Sequence, residues 1–231
     1  MSGLDVRTFT VGPVQENCYI VRADRHATHA VIVDPGDEAE RLLAAIAELG
    51  VEIDAILLTH CHFDHIGAVA PVARATGAPV YCPQIERPIL SDVMSWVPPG
   101  FGPFESYEAD HTLAGGERLH LAGLDIAVTF TPGHSPGHLT YAIDGALLSG
   151  DVLFQGSVGR VDLPGADWAT LERSIQTLLE NHPPETVVYP GHMGVTTLGR
   201  ERDSNPFLSE LRVRVPRVDT APTPDAPLRR L

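Results

Sequence analysis

The chain has 231 residues, 43% of them hydrophobic, enough to bury a substantial core as one large domain or two small ones. Thirty acidic residues stand against sixteen basic ones, a formal net charge of −14, and every basic residue is arginine. The absence of lysine excludes Schiff-base chemistry, a P-loop lysine and a Ser-Lys dyad, and the negative field disfavours a nucleic-acid partner.

Residues 6–10 and 19–22 are expected to be short strands around a Gly-Pro turn. Residues 30–33 form a buried strand that stops at Asp34-Pro35-Gly36. Residues 39–49 place Leu42, Leu43, Ile46 and Leu49 at helical spacing and end at Gly50, a suitable cap. A further buried strand over 53–58 runs directly into Thr59-His60-Cys61-His62-Phe63-Asp64-His65, and 66–76 is a predicted helix. From Cys82 to Gly116 the signals are poor. Pro98-Pro99-Gly100 and Gly102-Pro103 mark an irregular loop there, a candidate lid. Strands resume over 118–121, 124–131, 139–143 and 146–149. Residues 168–179 are a predicted helix with Asp167 as its cap, and 187–189 a last strand ending at Pro190-Gly191-His192. No linker interrupts residues 1–215, so a single domain is expected, followed by a loose proline-rich tail over 216–231. Strands precede helices twice, which points to two sheet halves covered by helices.

The acidity belongs to the body of the chain, because from Arg200 onward seven arginines face five acids. Three cysteines without CxxC spacing argue against a disulfide framework and for a reducing cytosol. No segment approaches the roughly 20 apolar residues of a membrane span. A cytoplasmic protein with no membrane partner is the expectation.

The chemistry concentrates in the histidines. His60, His62, Asp64 and His65 fall within six residues directly after a buried strand. His134, Asp151 and His192 each stand at a strand end beside glycine. Strand ends on one edge of a sheet can converge, so seven ligands can meet. Imidazole and carboxylate suit zinc and equally iron or manganese. Five histidines and two carboxylates exceed one tetrahedral ion and suit two ions about 3.5–4 Å apart. His26, His29, His111 and His182 are expected to be surface or packed residues, and His138 either supports a ligand or is simply packed, the latter being favoured. Cys61 alternates with His60 and His62 and should point away from them.

These residues carry a resemblance. His60-x-His62-x-Asp64-His65 followed by His134, Asp151 and His192 resembles the metallo-β-lactamase superfamily. Val33-Asp34-Pro35-Gly36, Gly159-Arg160-Val161-Asp162 and Thr197-Leu198-Gly199-Arg200 look most like its short, single-domain glyoxalase II-like members. The resemblance implies an α+β fold, a four-layer αββα sandwich with a dinuclear site on one edge of the sheets. It implies one metal on His60, His62 and His134, a second on Asp64, His65 and His192, and Asp151 bridging. Two divalent ions, Zn2+ first and Fe or Mn next, would act by attack of a bridging hydroxide on a small anionic thioester such as S-lactoylglutathione. Asp64 could also relay a proton. Asp34 could orient a ligand histidine, and Arg160 could hold a substrate carboxylate, although a pair with Asp162 is an equal expectation. The alternatives are a persulfide dioxygenase using one iron and a lactonase-type metallohydrolase. The expected assembly is a monomer or homodimer.

Overall fold

The computed structural model describes residues 3–209. Strands β1 (Asp5–Val11) and β2 (Glu16–Arg22) form an antiparallel hairpin, and β3 (His29–Val33) pairs antiparallel with β2. Next to β3 the sheet becomes parallel through β4 (Glu52–Leu57), β5 (Val80–Pro83) and β6 (His111–Leu113). Parallel neighbours need crossover connections. Helix α1 (Ala39–Leu49) supplies the first, α2 (Phe63–Ile66) with α3 (Val69–Thr76) the second, and α4 (Arg87–Ser91) lies in the third.

The second sheet begins as an antiparallel meander of β7 (Arg118–Leu121), β8 (Leu124–Phe130), β9 (Leu139–Ile143) and β10 (Ala146–Gly150). A small hairpin, β11 (Leu153–Phe154) with β12 (Ser157–Val158), follows, and then helix α5 (Trp168–Asn181). Strand β13 (Val187–Pro190) returns parallel to β10, β14 (Thr196–Thr197) pairs antiparallel with β13, and α6 (Leu198–Ser204) follows. The sheet order is β14-β13-β10-β9-β8-β7.

The period-2 alternation of the strands builds the layers. Tyr19, Val21, Val31, Val33, Ala55 and Leu57 face Ile126, Val128, Tyr141 and Ile143, forming the core between the sheets. Their neighbours Cys18, Ile20, Ala30, Ile32 and Ile56 turn outward onto Leu42, Ile46, Val69 and Val72 of α1 and α3. On the opposite side Leu147 and Val188 pack under Leu171, Ile175 and Leu178 of α5 and Leu198 of α6. The result is the expected αββα sandwich.

Three local expectations change. The helix expected over 66–76 is two helices, because Ala68 N–H donates to Pro35 O at 3.0 Å instead of continuing the helical ladder. The signal-poor stretch from 82 to 116 contains β6, α4 and two 3-10 turns, Gln84–Glu86 and Val93–Ser95. The β11–β12 hairpin, β14 and α6 were absent from the sequence expectation, since two-residue strands are too short to show a period and α6 buries a single apolar residue, Leu198. Asp167 caps α5 as expected, accepting from Thr170 N–H at 2.7 Å. The tail over 216–231 and the expected domain end at 215 lie outside the described residues.

Candidate metal centre

The ends of β4, β10 and β13 come together at one edge of the sandwich. Leu139 N–H donates to Thr59 O at 2.8 Å and the Tyr141 hydroxyl to Leu58 O at 2.6 Å, which stitches β4 of the first sheet to β9 of the second. Strands β10 and β13 end together, with Gly191 N–H donating to Gly150 O at 2.9 Å. The N-terminal hairpin closes the edge. Asn17 Nδ2 donates to Pro190 O and Met193 O at 3.1 and 2.9 Å, and the Tyr19 hydroxyl donates to Pro190 O at 2.6 Å.

All seven residues that the sequence singles out are delivered to this edge, in two sets. His62 Nδ1 lies 3.0 Å from His60 Nε2 and 2.9 Å from His134 Nε2. His192 Nε2 lies 3.3 Å and His65 Nε2 3.8 Å from Asp64 Oδ2. Asp151 sits between the sets: Oδ1 is 3.5 Å from His65 Nε2, and Oδ2 is 3.3 Å from His134 Nε2 and 3.5 Å from His192 Nε2. Each three-residue set, His60/His62/His134 and Asp64/His65/His192, brings its ligand atoms within 4.8 Å of one another.

Two observations fit these residues to bound cations. His65 Nε2 and Asp151 Oδ1 are buried and without hydrogen-bond partners, although leaving such groups unpaired is costly. The rear nitrogens of four histidines are engaged: His60 Nδ1 with Thr59 Oγ1 at 3.0 Å, His65 Nδ1 with Asp34 Oδ2 at 3.0 Å, His134 Nδ1 with Arg160 O at 2.9 Å, and His192 Nδ1 with Gln15 O at 3.2 Å. Such contacts fix ring orientation and leave Nε2 facing the site. A third group, Asp34 with His60 and His65, also lies within ligand distance. Its carboxylate, however, already accepts from Thr59 N–H, the Thr59 hydroxyl and His65, so it belongs to the supporting layer.

The electrostatics follow the same partition. Burial drives His60 well below its ordinary pKa and lowers His62 to about 4, reinforced by the neighbouring imidazoles. Both therefore present neutral nitrogens at pH 7. Burial alone would lower His65 and raise Asp151. Their mutual attraction wins, aided by Asp64 for His65 and by His134 for Asp151: His65 is pushed up and Asp151 held well down. Asp64 is lowered against its burial by His65 and His192.

Further supporting residues surround the site. His138 is packed, as expected, with its ring stacked 5.0 Å from His60, yet it also works: its Nε2 accepts from Asp151 N–H at 3.0 Å. Glu16 is fully buried beside His65, with Oε1 3.7 Å from Nδ1, and burial raises its pKa well above the carboxylate range. Asn17, Tyr19 and Glu86 also serve the edge. Nothing in their local sequence marked them, Asn17 and Tyr19 lying in a buried strand and Glu86 in a short 3-10 turn.

The Arg160 guanidinium is exposed and paired with Asp162 through two 2.7 Å bonds, while its backbone carbonyl is the part that reaches His134. Cys61 points into the core, its Sγ 3.5 Å from that of Cys82. Phe63, inside the ligand run, packs 4.7 Å from Phe101 and 6.2 Å from Phe104, so the irregular loop flanks the site. His26, His29 and His111 are exposed. Among the described residues no helix is long and apolar enough to cross a membrane.

The profile of the metallo-beta-lactamase superfamily matches residues 11–192. The chain is 40% identical over 210 residues to the probable metallo-hydrolase YqgX of Bacillus subtilis, covering 88% of this chain and 97% of that one. It is 34% identical over 211 residues to the hydroxyacylglutathione hydrolase GloC of Haemophilus influenzae, covering 89% and 99%. Among solved structures, BLEG-1 B3 metallo-beta-lactamase superposes with TM-score 0.84 at 40% identity, covering 89% of this chain and all of the other. TTHA1623 in a di-iron-bound form gives 0.71 at 44%, covering 88% and 100%. ETHE1 from Myxococcus xanthus gives 0.71 at 25%, covering 92% of each.

Proposed function

The chain belongs to the metallo-beta-lactamase superfamily of metallo-hydrolases, and from that premise we propose that it hydrolyses a small anionic thioester, most simply a 2-hydroxyacyl thiol such as S-lactoylglutathione. The observation that carries this reading is the meeting of two ligand sets across one carboxylate, Asp151. His60, His62 and His134 would hold one divalent ion, Asp64, His65 and His192 a second, and Asp151 would bridge them. Zn2+ is the proposed ion, and Fe or Mn would accept the same donors. Two such ions supply Lewis acidity toward a carbonyl oxygen and a water of lowered pKa.

The chain's own residues do the remaining work. Asp34, Thr59 and the carbonyls of Arg160 and Gln15 hold the imidazoles in orientation. Asp64, partly open to solvent and 3.3 Å from His192, would relay a proton. The Arg160 guanidinium would exchange Asp162 for a substrate carboxylate, so Arg160→Ala should raise KM with little change in kcat. The fit to a hydroxyacylglutathione hydrolase relative at nearly full length supports the thioester. The second reading is a persulfide dioxygenase with a single iron, favoured by the likeness to ETHE1.

Metal analysis combined with an activity panel on one preparation separates them. Two zinc ions and oxygen-independent thioester cleavage support the proposal. One iron with stoichiometric oxygen uptake on a glutathione persulfide overturns it, as does cleavage of lactones or β-lactams with no action on thioesters.

A further inference from the structure

Glu86 lies in the 3-10 turn Gln84–Glu86, 1% exposed, in the stretch where the sequence carried few signals. Its carboxylate divides between two loops. Oε2 accepts from Cys61 N–H at 2.6 Å, and Oε1 accepts from the Ser135 hydroxyl at 2.5 Å and from Gly137 N–H at 2.8 Å. Cys61 is the residue between His60 and His62, and Ser135 directly follows His134. One buried side chain therefore joins the two segments that carry all three ligands of the first set. The approach is close, since a Cβ on Gly137 would lie 2.7 Å from Glu86 Cγ.

We propose that Glu86 is a positioning residue for the His60/His62/His134 centre, fixing how the three imidazoles converge and so setting that centre's affinity for its ion. The proposal rests on the dinuclear reading above. It goes further in giving the first centre a carboxylate support that the second does not share, whereas Asp34 holds His65 directly and reaches His60 through the Thr59 hydroxyl. His65 of the second set is oriented by Asp34 and His192 by the Gln15 carbonyl, and none of their hydrogen bonds passes through Glu86. A carboxylate is the matching group because all three partners donate. A glutamine amide would turn its NH2 toward a donor and lose at least one bond, and the charge-assisted bonds to the amides would weaken.

The test measures divalent-ion affinity by competition with a chromophoric chelator, using Zn2+ alone, in two backgrounds. His192→Ala leaves the first centre intact, and His62→Ala leaves the second. Glu86→Gln should weaken the ion about 10- to 100-fold in the His192→Ala background, the usual cost of losing a group that orients a ligand. In the His62→Ala background it should leave the ion unchanged. An equal loss in both backgrounds would reveal a general folding defect, and no loss in either would remove Glu86 from the centre; each overturns the proposal. Circular dichroism of the metal-free proteins monitors folding. Should Glu86→Gln not fold, Ser135→Ala deletes one of the three bonds, and unchanged first-centre affinity there is the refuting result. A wild-type chain that binds no divalent ion defeats the dinuclear reading and this proposal together. A wild-type chain that binds two ions, with Glu86→Gln unchanged in both backgrounds, defeats only the latter.

Discussion

Gly191→Ala probes the arrangement most directly, because the added methyl group has no room. An ideal Cβ at Gly191 would lie 2.2 Å from Asp151 Oδ1, 2.7 Å from His65 Cε1 and 3.2 Å from the Gly150 carbonyl carbon. Ordinary contact begins near 3.4 Å, so something must yield by about 1 Å, a misplacement that can cost about 10²-fold in rate. The backbone is not free to yield. Gly191 N–H is bonded to Gly150 O, Gly191 O accepts from Asn17 N–H at 2.8 Å, and Pro190 O is held by both Asn17 and Tyr19. The Asp151 carboxylate, which faces both ligand sets, is the group that moves. Overpacking of this kind costs about 1–3 kcal/mol, a Tm lower by roughly 2–12 °C in a chain of this size. Metal content of the purified variant, its thermal melt and its thioester hydrolysis rate are the measurements. The expected outcome is loss of bound metal and activity together, well beyond the modest fall in Tm. A Gly191→Ala protein with wild-type metal content and wild-type rate would refute the close-packed bridge.

Asp34→Asn should weaken the second centre about 10- to 100-fold, read by chelator competition in the His62→Ala background. Asp34 has φ +49°, a left-handed conformation that asparagine tolerates, so the change spares the backbone. Unchanged affinity would detach Asp34 from His65. The metal-free protein should lose stability as pH falls from about 6.5 to 4.5. His60, His62 and His138 are depressed by burial, and half-buried His182 likewise, so unfolding takes up protons across that window. Glu16, raised by burial, opposes with a single proton across the window, and His65 and His192, raised against their burial by neighbouring carboxylates, oppose only near its upper end. The net slope is on the order of 2 kcal/mol per pH unit. Urea denaturation at several pH values checks it, and a flat or inverted profile contradicts the sign. Asp167→Ala should cost about 1 kcal/mol through the lost cap of α5, lowering Tm by roughly 2–4 °C, and metal analysis should find the ions retained.

What the sequence disclosed depended on how local the signal was. Helix α1 was legible to the residue, because Leu42, Leu43 and Ile46 repeat at helical spacing and Gly50 ends the run in a left-handed cap. The strands feeding the site were legible as apolar runs that break at glycine or proline. The ligands were legible because imidazoles and carboxylates crowd the ends of those runs. Of the supporting residues Asp34 was legible, as the carboxylate at a strand end before Pro-Gly, and it holds His65; Glu86, Asn17 and Tyr19 were not. Glu86 stands 25 residues from Cys61 and 49 from Ser135, and Asn17 stands 173 residues from Pro190. No periodicity records such contacts, which exist only once the sheets have packed. The helix break at Gly67-Ala68 was hidden for the same reason, since its cause is the carbonyl of distant Pro35.

The centre also explains why the sandwich tolerates a costly edge. His65, Asp151 and Glu16 are buried ionisable groups with polar atoms that lack hydrogen bonds in the metal-free protein, a cost of about 1–3 kcal/mol per group that the mutual attraction of His65 and Asp151 across 3.5 Å offsets for that pair. They lie at the seam where β4 of one sheet meets β9, β10 and β13 of the other. Bound ions would satisfy His65 Nε2 and Asp151 Oδ1 and would cross-link that seam, because His60, His62, Asp64 and His65 come from one half of the chain and His134, Asp151 and His192 from the other. Folding and metal loading would thereby be coupled. A ligand that binds only the folded state stabilises it in proportion to the logarithm of its concentration over Kd, about 4 kcal/mol at a thousandfold excess. Two divalent ions bound as proposed would make the same edge the place where positive charge gathers on an acidic body. A small anion would then be drawn there more readily than a polyanion, which would have to cross the surrounding field.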